Sequence, residues 1–273
     1  MSGPDPVTGH YARGGIAQTL LAAVRAELAD GETLGVAHLA PVDEFHIGGI
    51  ETTRRFVPML GLQKGMQVLD IGSGIGGTAR FISQETGAQV TGIDLTPEFV
   101  AAAAVLSAAT GSAGRTRFVC AGALDLPFGD AGFDGAVTLH VAMNIADKAA
   151  LYREAARVLR PGAVLGIYDV LAGPGAGAFV FPVPWAASRE TSWLATPETT
   201  RSLLDAAGFA IVHEEDRHAP AMASLARMAA RSGPQRPGLH LLIGEGYAER
   251  MAGLAANLAA HRCAPWEFVC VRR

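Results

Sequence analysis

Short apolar runs alternate with stretches of helical spacing over the middle of the chain. The runs at residues 68–71, 89–93, 117–120, 135–139 and 164–170 have the length and composition of buried strands. Between them, residues 78–85, 97–110 and 148–159 have the apolar spacing of helices. This alternation predicts βαβ units and a parallel sheet, with a turn at residues 160–162 leading into the fifth strand.

The flanking segments add helices to this sheet. Residues 11–29 and 51–60 predict two helices before the first strand, and residues 1–10 form a polar tail. After the fifth strand we expect a helix at 197–207, a strand at 209–213, a mostly helical stretch at 219–261 and a last strand at 266–271. The predicted architecture is an α/β fold with a mainly parallel sheet of about seven strands. Residues 1–63 would be a helical lid and substrate segment, and 64–273 the main domain, with 219–261 as a helical insert.

Composition and charge narrow the class of partner. The 273 residues carry a formal net charge of −4 and include three cysteines. With no dense Lys/Arg face, a nucleic acid is a poor partner, and with no long apolar run a membrane span is not expected. The cysteine spacing predicts no metal site, and a reducing cytoplasm fits such cysteine usage best. A homo-oligomer is compatible with the sequence.

The strongest motif runs V-L-D-I-G-S-G-I-G-G-T over residues 68–78. It places a glycine turn between a strand and a helix start, where a ligand can approach free backbone N–H groups. Gly72, Gly74 and Gly77 also satisfy G-x-G-x-x-G, which by itself suggests a dinucleotide. Asp70 argues against a dinucleotide and for a ligand with a methionine moiety. A carboxylate aimed at the loop repels a pyrophosphate and suits the ammonium of a methionine moiety.

A second acidic residue, Asp94, ends the second apolar run. An acid at this place accepts hydrogen bonds from both hydroxyls of a ribose, in NAD sites as well. Asp94 therefore predicts that a nucleoside binds here, but it does not distinguish S-adenosylmethionine from NAD(P). Asp70 makes S-adenosylmethionine the favoured cofactor.

These residues resemble motif I of class I S-adenosylmethionine-dependent methyltransferases. Residues 124–128 (L-D-L-P-F), 133–134 (F-D) and 159–162 (L-R-P-G) are similar to later landmarks of that family. Residues 43–49 (D-E-F-H-I-G-G), 143–147 (M-N-I-A-D) and 182–185 (P-V-P-W) are similar to the branch near sarcosine/dimethylglycine-type and natural-product enzymes, often labelled ubiquinone/menaquinone-type. The resemblance implies a Rossmann-like fold with an antiparallel last strand, and helical additions that cover the carboxyl end of the sheet.

The resemblance also implies roles for individual residues. The methionine end of the cofactor would be held by Asp70, Gly72, Ser73 and Gly74, with His140 at its border. Asp94 would bind the ribose, and the adenine would be lined by Leu95, Ala123 and Leu124. One position departs from the family: Gly122 stands where an acid often receives the adenine amino group. Asp125, a backbone carbonyl or water would serve instead, or that hydrogen bond is absent.

The methyl acceptor is less well defined by the sequence. Methyl transfer from a sulfonium is an in-line displacement, so orientation of the acceptor matters most, and a hydroxyl or carbon nucleophile also needs a base. The chain lacks the polar-Pro-Pro-aromatic motif used on amide-type nitrogens, which with the acidic balance favours a small metabolite or natural product. His46 is the candidate for proton removal or orientation. The predicted substrate wall consists of Tyr11, Phe45, Tyr168, Trp185 and Trp193.

Two other functions remain open from the sequence. An NAD(P)-dependent oxidoreductase would use the same glycine turn, although the chain has no Tyr-x-x-x-Lys proton relay. A non-catalytic S-adenosylmethionine-binding protein would keep the loop without an open acceptor pocket.

Overall fold

The core of the molecule is one seven-stranded sheet in the order β3-β2-β1-β4-β5-β7-β6. The computed structural model describes residues 15–230 and 236–273. The pairs β1–β2, β2–β3, β1–β4 and β4–β5 are parallel, and β7 pairs antiparallel with both β5 and β6. The predicted mainly parallel sheet and antiparallel last strand are confirmed. The strands are β1 Gln67–Ile71, β2 Gln89–Asp94, β3 Thr116–Cys120, β4 Phe133–Leu139, β5 Leu159–Ala172, β6 Phe209–Asp216 and β7 Cys263–Arg272.

Ten α-helices are described around the sheet. Local signals fix several of their starts: Asp147 caps α6 by accepting the Ala150 N–H, and Thr196 caps α7, whose first residue is a proline. No helix among the described residues is long and apolar enough to cross a membrane. The helices are α1 Ile16–Arg25, α2 Val36–Asp43, α3 Gly49–Phe56, α4 Gly77–Thr86, α5 Pro97–Ala109, α6 Lys148–Val158, α7 Pro197–Ala206, α8 His218–Ala229, α9 His240–Ile243 and α10 Tyr247–Ala259.

Three local predictions differ from the structure. Helix α2 was not expected, because Pro41 lies inside it and glycines precede it. The helix expected over 51–60 changes to a 3-10 turn at Val57–Leu60, where Pro58 cannot continue the α-helical bonding. Residues 160–162 do not leave the sheet, since β5 begins at Leu159 and the register to β4 shifts between Phe133 and Gly135. The exposed Pro161 and Gly162 are thus absorbed as a bulge.

The two faces of the sheet are covered by different parts of the chain. On one face, Phe56 and Leu60 from the N-terminal segment pack with Ile82 against Val68 and Val137. Here the backbone of β5 approaches closely: a Cβ on Gly166 would lie 2.7 Å from a Leu60 methyl. The opposite face is buried by α6 and α7. The segment before residue 63 therefore packs directly on the sheet, and the division of the chain at that residue stays a prediction.

A buried ion pair joins the N-terminal segment to the glycine-loop helix. The Arg80 guanidinium on α4 donates to the Asp43 carboxylate at the end of α2, at 2.7 Å, and both side chains are buried. Burial raises the pKa of Asp43 to about 6, although the arginine opposes this shift. The pair ties α2 to α4 beside the loop that follows β1.

Candidate active site

The loop between β1 and α4 lies where the sheet order reverses between β1 and β4. Gly72, Gly74 and Gly76 all have positive φ, at 74°, 52° and 84°. A Cβ on Gly72 would lie 2.3 Å from the Val141 side chain, and one on Gly76 would lie 2.7 Å from Phe118. Gly74, in contrast, has no atom within 4 Å of such a Cβ. The loop is therefore packed on its two flanks and open at Gly74, in the crevice where α/β sheets bind ligands.

Asp94 fixes this loop from the end of β2. Its Oδ2 accepts the Gly74 N–H at 2.9 Å, and its Oδ1 accepts the Thr96 N–H at 2.9 Å. Burial raises the pKa of the carboxyl, while these N–H groups favour the ionised form. Each oxygen keeps a second lone pair, so Asp94 can hold the loop and still accept two hydroxyl groups.

Asp70 and Ser73 lie buried beside the same loop with unused polar atoms. Within the described residues, neither Oδ2 of Asp70 nor Oγ of Ser73 has a hydrogen-bond partner. Burial, with the nearby carboxyls of Glu44 and Asp94, raises the pKa of Asp70 to about 8. An unsatisfied buried carboxyl is costly, and a cationic donor such as an ammonium satisfies it. These groups thus fit the methionine end of S-adenosylmethionine, whose ammonium is such a donor.

Two exposed leucines border the end of the sheet near β2 and β3. Leu95 is 43% exposed and Leu124 is 45% exposed, which is high for large apolar side chains. A Cβ on Gly122 would lie 3.9 Å from Leu95 Cδ1, and Ala123 is half-buried between. Asp125 is exposed. The arrangement offers apolar surface of the kind that contacts a flat base, and the absence of a side chain at Gly122 leaves that surface accessible.

Three aromatic rings meet at the carboxyl ends of β4 and β5. His140, which follows β4 with a φ of 56°, stacks on Tyr168 with ring centroids 5.3 Å apart. His46 contacts both rings edge-on, at 5.9 Å from His140 and 5.8 Å from Tyr168. The structure therefore brings together three residues that the sequence predicted separately. Their aromatic faces form one wall, referred to below as the ring cluster.

Glu44 and Thr53 orient His46, and the sequence did not indicate either of them. The His46 Nε2 lies 2.7 Å from Glu44 Oε2 and 3.0 Å from Thr53 Oγ1, and the threonine hydroxyl donates to the same carboxylate oxygen at 2.6 Å. All three residues are buried. With Nε2–H donated to Glu44, Nδ1 is the nitrogen with a lone pair. Its nearest polar contact is the Ile47 carbonyl, at a long 3.5 Å.

His140 has different electrostatics. Its Nε2 is buried without a partner in the described part of the chain. Burial, and to a smaller degree the charge of His46, hold its pKa well below the ordinary value. His140 is therefore neutral at physiological pH and available as a hydrogen-bonding or packing group.

The other predicted wall residues lie in different surroundings. Trp185 is 3% exposed and packs with Phe179 in a cluster under the 172–196 loop, with its Nε1 donating to Ser192. Trp193 is 46% exposed. Phe45 is half-buried against the cluster of α1, α2 and α5. Tyr11 lies outside the described residues. Their contact with a substrate stays a prediction.

The 172–196 loop is hydrogen-bonded to the segment after β4. The Asn144 side-chain amide donates to the carbonyls of Trp185 and Thr191, each at 2.9 Å. The Trp193 N–H donates to the Met143 carbonyl at 2.7 Å, and Lys148 donates to the Trp193 carbonyl. These bonds fix the loop against the segment that follows β4.

One group of three potential metal ligands occurs in the described ranges. Ligand atoms of His213, Glu215 and Glu267 lie within 4.8 Å of one another. Glu267 is fully buried, however, and accepts both N–H groups of Arg55 and a contact from His213 at 3.0 Å. Burial opposes ionisation of this carboxyl, but the hydrogen bonds from Arg55 and His213 bring its pKa below the ordinary value. The prediction of no metal site stays a prediction.

Comparisons with known proteins agree with this geometry. Residues 69–167 match the model of the family described as a methyltransferase domain. A phosphoethanolamine N-methyltransferase of Triticum aestivum is 35% identical over 171 residues, which cover 62% of this chain and 33% of the relative. The matched stretch spans 30% to 45% of the length of the first four curated relatives.

Solved structures share the fold over nearly the whole chain. A geranyl diphosphate C-methyltransferase from Streptomyces coelicolor has a TM-score of 0.71 and 13% identity, with full coverage of both chains. The [4+2]-cyclase SpnF has a TM-score of 0.64 and 23% identity, covering 94% of this chain and 92% of the cyclase. Since the second neighbour has another activity, the fold alone does not define the reaction. The family match, the glycine loop and the sheet topology together place residues 69–167 in the class I S-adenosylmethionine-dependent methyltransferases.

Proposed function

We propose that this chain transfers a methyl group from S-adenosylmethionine to nitrogen, oxygen or carbon of a small-molecule acceptor. The observation that carries the proposal is the pair of unsatisfied buried groups, Asp70 Oδ2 and Ser73 Oγ, beside the open position at Gly74. The match of residues 69–167 to the methyltransferase domain supports it. The matched relatives include N-, O- and C-methyltransferases of small molecules, which supports the class of acceptor.

Each cofactor-binding residue has a role that suits its surroundings. Asp70 and Ser73 receive the ammonium of the methionine moiety, and the backbone of Gly72 and Gly74 lies along it. Asp94 accepts the ribose hydroxyls with its free lone pairs. The adenine lies on the apolar surface of Leu95, Ala123 and Leu124, and His140 borders the methionine part. When bound, S-adenosylmethionine supplies an electrophilic methyl group on a sulfonium, which leaves as a neutral thioether.

The ring cluster is the proposed acceptor side of the site. His46 takes the proton of the acceptor on Nδ1, because its Nε2 is engaged by Glu44. The buried carboxylate stabilises the imidazolium that forms and fixes the ring orientation. His140 stays neutral and packs beside the methyl path. Tyr168 holds the wall in place, since its hydroxyl donates to the Ile47 carbonyl at 3.0 Å.

The remaining substrate assignments belong to the same proposal. Tyr11, Phe45, Trp185 and Trp193 complete the acceptor wall, with Trp185 acting from the buried side of the loop and Trp193 from its exposed side. A homo-oligomer and a cytoplasmic location are also kept as predictions. Size-exclusion chromatography with light scattering measures the first of these.

Isothermal titration with S-adenosylmethionine, S-adenosylhomocysteine and NADH tests the cofactor. We expect the two sulfur compounds to bind and NADH not to bind, and Asp94→Asn should weaken both sulfur ligands. Binding of NADH alone would overturn the proposal. Turnover is then followed by mass spectrometry on amines, phenols, hydroxy-sugars and prenyl diphosphates, as a mass gain of one methyl group. Cofactor binding without any methylated product favours the non-catalytic alternative.

A further inference from the structure

A cavity lies behind Tyr168 of the ring cluster, between α3, α8 and β5. Its volume is about 170 Å³. Three arginines line it, Arg55 from α3 and Arg217 and Arg227 from the α8 region, together with the hydroxyl-bearing side chains of Thr52, Ser224 and Tyr168. Guanidinium and hydroxyl groups are donors, and arginine is suited to paired contacts with carboxylate and phosphate oxygens. This arginine pocket is absent from the sequence-based predictions.

The carboxylates that pair with Arg55 and Arg217 lie outside the lining of the pocket. Arg55 donates to the buried Glu267, and Arg217 Nη1 donates to Glu215 Oε1 at 2.6 Å. Neither glutamate lines the pocket. Among the residues described there, Glu51 is the one acid in the lining. The lining therefore presents three guanidinium groups and one carboxylate, while Glu267 and Glu215 balance Arg55 and Arg217 from outside it.

Glu51 is a weak competitor for an incoming anion. It contacts Arg227 at 3.0 Å, but its side chain is 71% exposed and that of Arg227 is 58% exposed. Such a solvated ion pair contributes little, so either side chain can change partner at small cost. Arg217 is held more firmly, since its side chain is only 17% exposed. The pocket thus combines a fixed arginine with one that can close over a ligand.

The position of the pocket connects it to methyl transfer. Tyr168 lines the pocket and also stacks on His140, while Ile47, which lines the pocket too, directly follows His46. A volume of about 170 Å³ is well below that of a complete small-molecule site, which is about 300–1,000 Å³. The pocket is therefore large enough for a head group whose remaining atoms extend toward the ring cluster.

We propose that the arginine pocket binds an oxyanion, a phosphate or carboxylate group, carried by the methyl acceptor. Arg217 and Arg227 bind the oxygens, Ser224 donates a hydroxyl hydrogen bond, and the reacting atom lies on the far side of Tyr168 near His46. This assignment rests on the proposed methyl transfer only in treating the anion as part of the acceptor. Binding of the anion itself requires neither cofactor nor turnover.

The first test is a titration of the full chain with inorganic phosphate, at constant ionic strength kept with sodium chloride. We expect saturable binding that weakens about tenfold or more in Arg227→Met, as for loss of one charge-assisted hydrogen bond. Arg217→Met should lose at least as much, and Glu51→Gln should bind phosphate more tightly than the wild type. Arg201→Met is the matched control, because Arg201 is also paired with exposed glutamates but lies on α7 away from the pocket.

The opposite shifts of Arg227→Met and Glu51→Gln protect the test against misfolding, since both side chains are exposed. Equal phosphate affinity in all variants, or the same loss in Arg201→Met, overturns the proposal. A second arm compares phosphorylated and carboxylated acceptors with their uncharged counterparts, by KM. A KM that does not depend on the anionic group overturns it as well. Failure of S-adenosylmethionine to bind, with phosphate binding intact, overturns the proposed function and leaves the anion pocket in place.

Discussion

Protonation of Asp70 should control the affinity for the cofactor. In the free protein, burial and the carboxyls of Glu44 and Asp94 raise the pKa of Asp70 to about 8. At pH 6 the residue therefore carries a proton, and it must release that proton to pair with the ammonium of the bound methionine moiety. We expect binding of S-adenosylhomocysteine, which has the same ammonium, to strengthen as the pH rises from 6 to 8.

The magnitude follows from linkage between the proton and the ligand. If the ammonium returns Asp70 to the ordinary aspartate value of 3.8, the Kd at pH 6 exceeds that at pH 8 by about 50-fold. The stability of the free protein depends on pH in the opposite direction to the ligand affinity. Because the folded-state pKa lies above that of the unfolded chain, ionisation of Asp70 lowers the free energy of unfolding as the pH rises between about 4 and 8.

Isothermal titration at several pH values, in buffers of different ionisation enthalpy, measures both quantities. At pH 6 to 7 we expect close to one proton released per ligand bound. Asp70→Asn is the matched variant, since its amide is of similar size and does not titrate. It should bind more weakly than the wild type at pH 8, by about 1.5–3 kcal/mol for the lost charge-assisted bond, and its Kd should change far less with pH.

Two results would refute this reasoning. A wild-type Kd that is flat between pH 6 and 8, without proton release, means that Asp70 does not face the ammonium or does not hold a raised pKa. If the Kd of Asp70→Asn depends on pH as strongly as that of the wild type, the titrating group is on the ligand or is another carboxyl.

Three further predictions concern the loop, the ion pair and the proposed base. Gly74→Ala should weaken S-adenosylhomocysteine binding in calorimetry, and it should lower the free energy of unfolding in urea by about 1–2 kcal/mol, because alanine is strained at its φ of 52°. Gly77→Ala should lower the free energy of unfolding by about 1–3 kcal/mol, because its Cβ would clash with the Asp43 carbonyl, and it should lose less ligand affinity than Gly74→Ala; an equal loss of affinity in the two variants contradicts this. Arg80→Met should lower the free energy of unfolding by about 3–5 kcal/mol in the same urea assay at pH 8, since the buried Asp43 would lose its cationic partner and either stay as an unpaired charge or have to bind a proton; a loss below about 1 kcal/mol is the contrary result. Glu44→Gln should lower kcat by about tenfold or more on an identified acceptor that needs deprotonation, with cofactor affinity retained, and an unchanged kcat argues against the base.

The central sheet was predictable because its signals are local. The strands β1, β2, β4 and β5 each combine a largely buried apolar run with a following turn or helix start, whereas β3 is an edge strand with Arg117 and Cys120 exposed; the structure has all five within about five residues of the expected bounds. Asp70 and Asp94 were found for the same reason, since each stands at a fixed place relative to a strand end. Their environment could not be read locally, because the pKa of Asp70 depends on burial and on Glu44 from another segment.

The acceptor side was only partly predictable because it depends on long-range packing. His46, His140 and Tyr168 were separate candidates, and their meeting follows from how the N-terminal segment lies on β5. Glu44 stands two residues before His46, a spacing that has no meaning for contact unless the loop geometry is known. The arginine pocket combines side chains from α3 and α8, which no motif connects.

The place of β7 between β5 and β6 has a consequence for synthesis of the chain. Strand β6 finds no partner in β5, so both strands expose unpaired N–H and C=O groups until residues 263–272 have left the ribosome. A nascent chain thus carries an open, largely apolar sheet margin for seconds at ordinary elongation rates. Shortening the chain by the length of β7 should leave a species that retains the nucleotide-type half of the sheet yet associates with chaperones or aggregates. Translation speed over the α8–α10 region then becomes a determinant of yield.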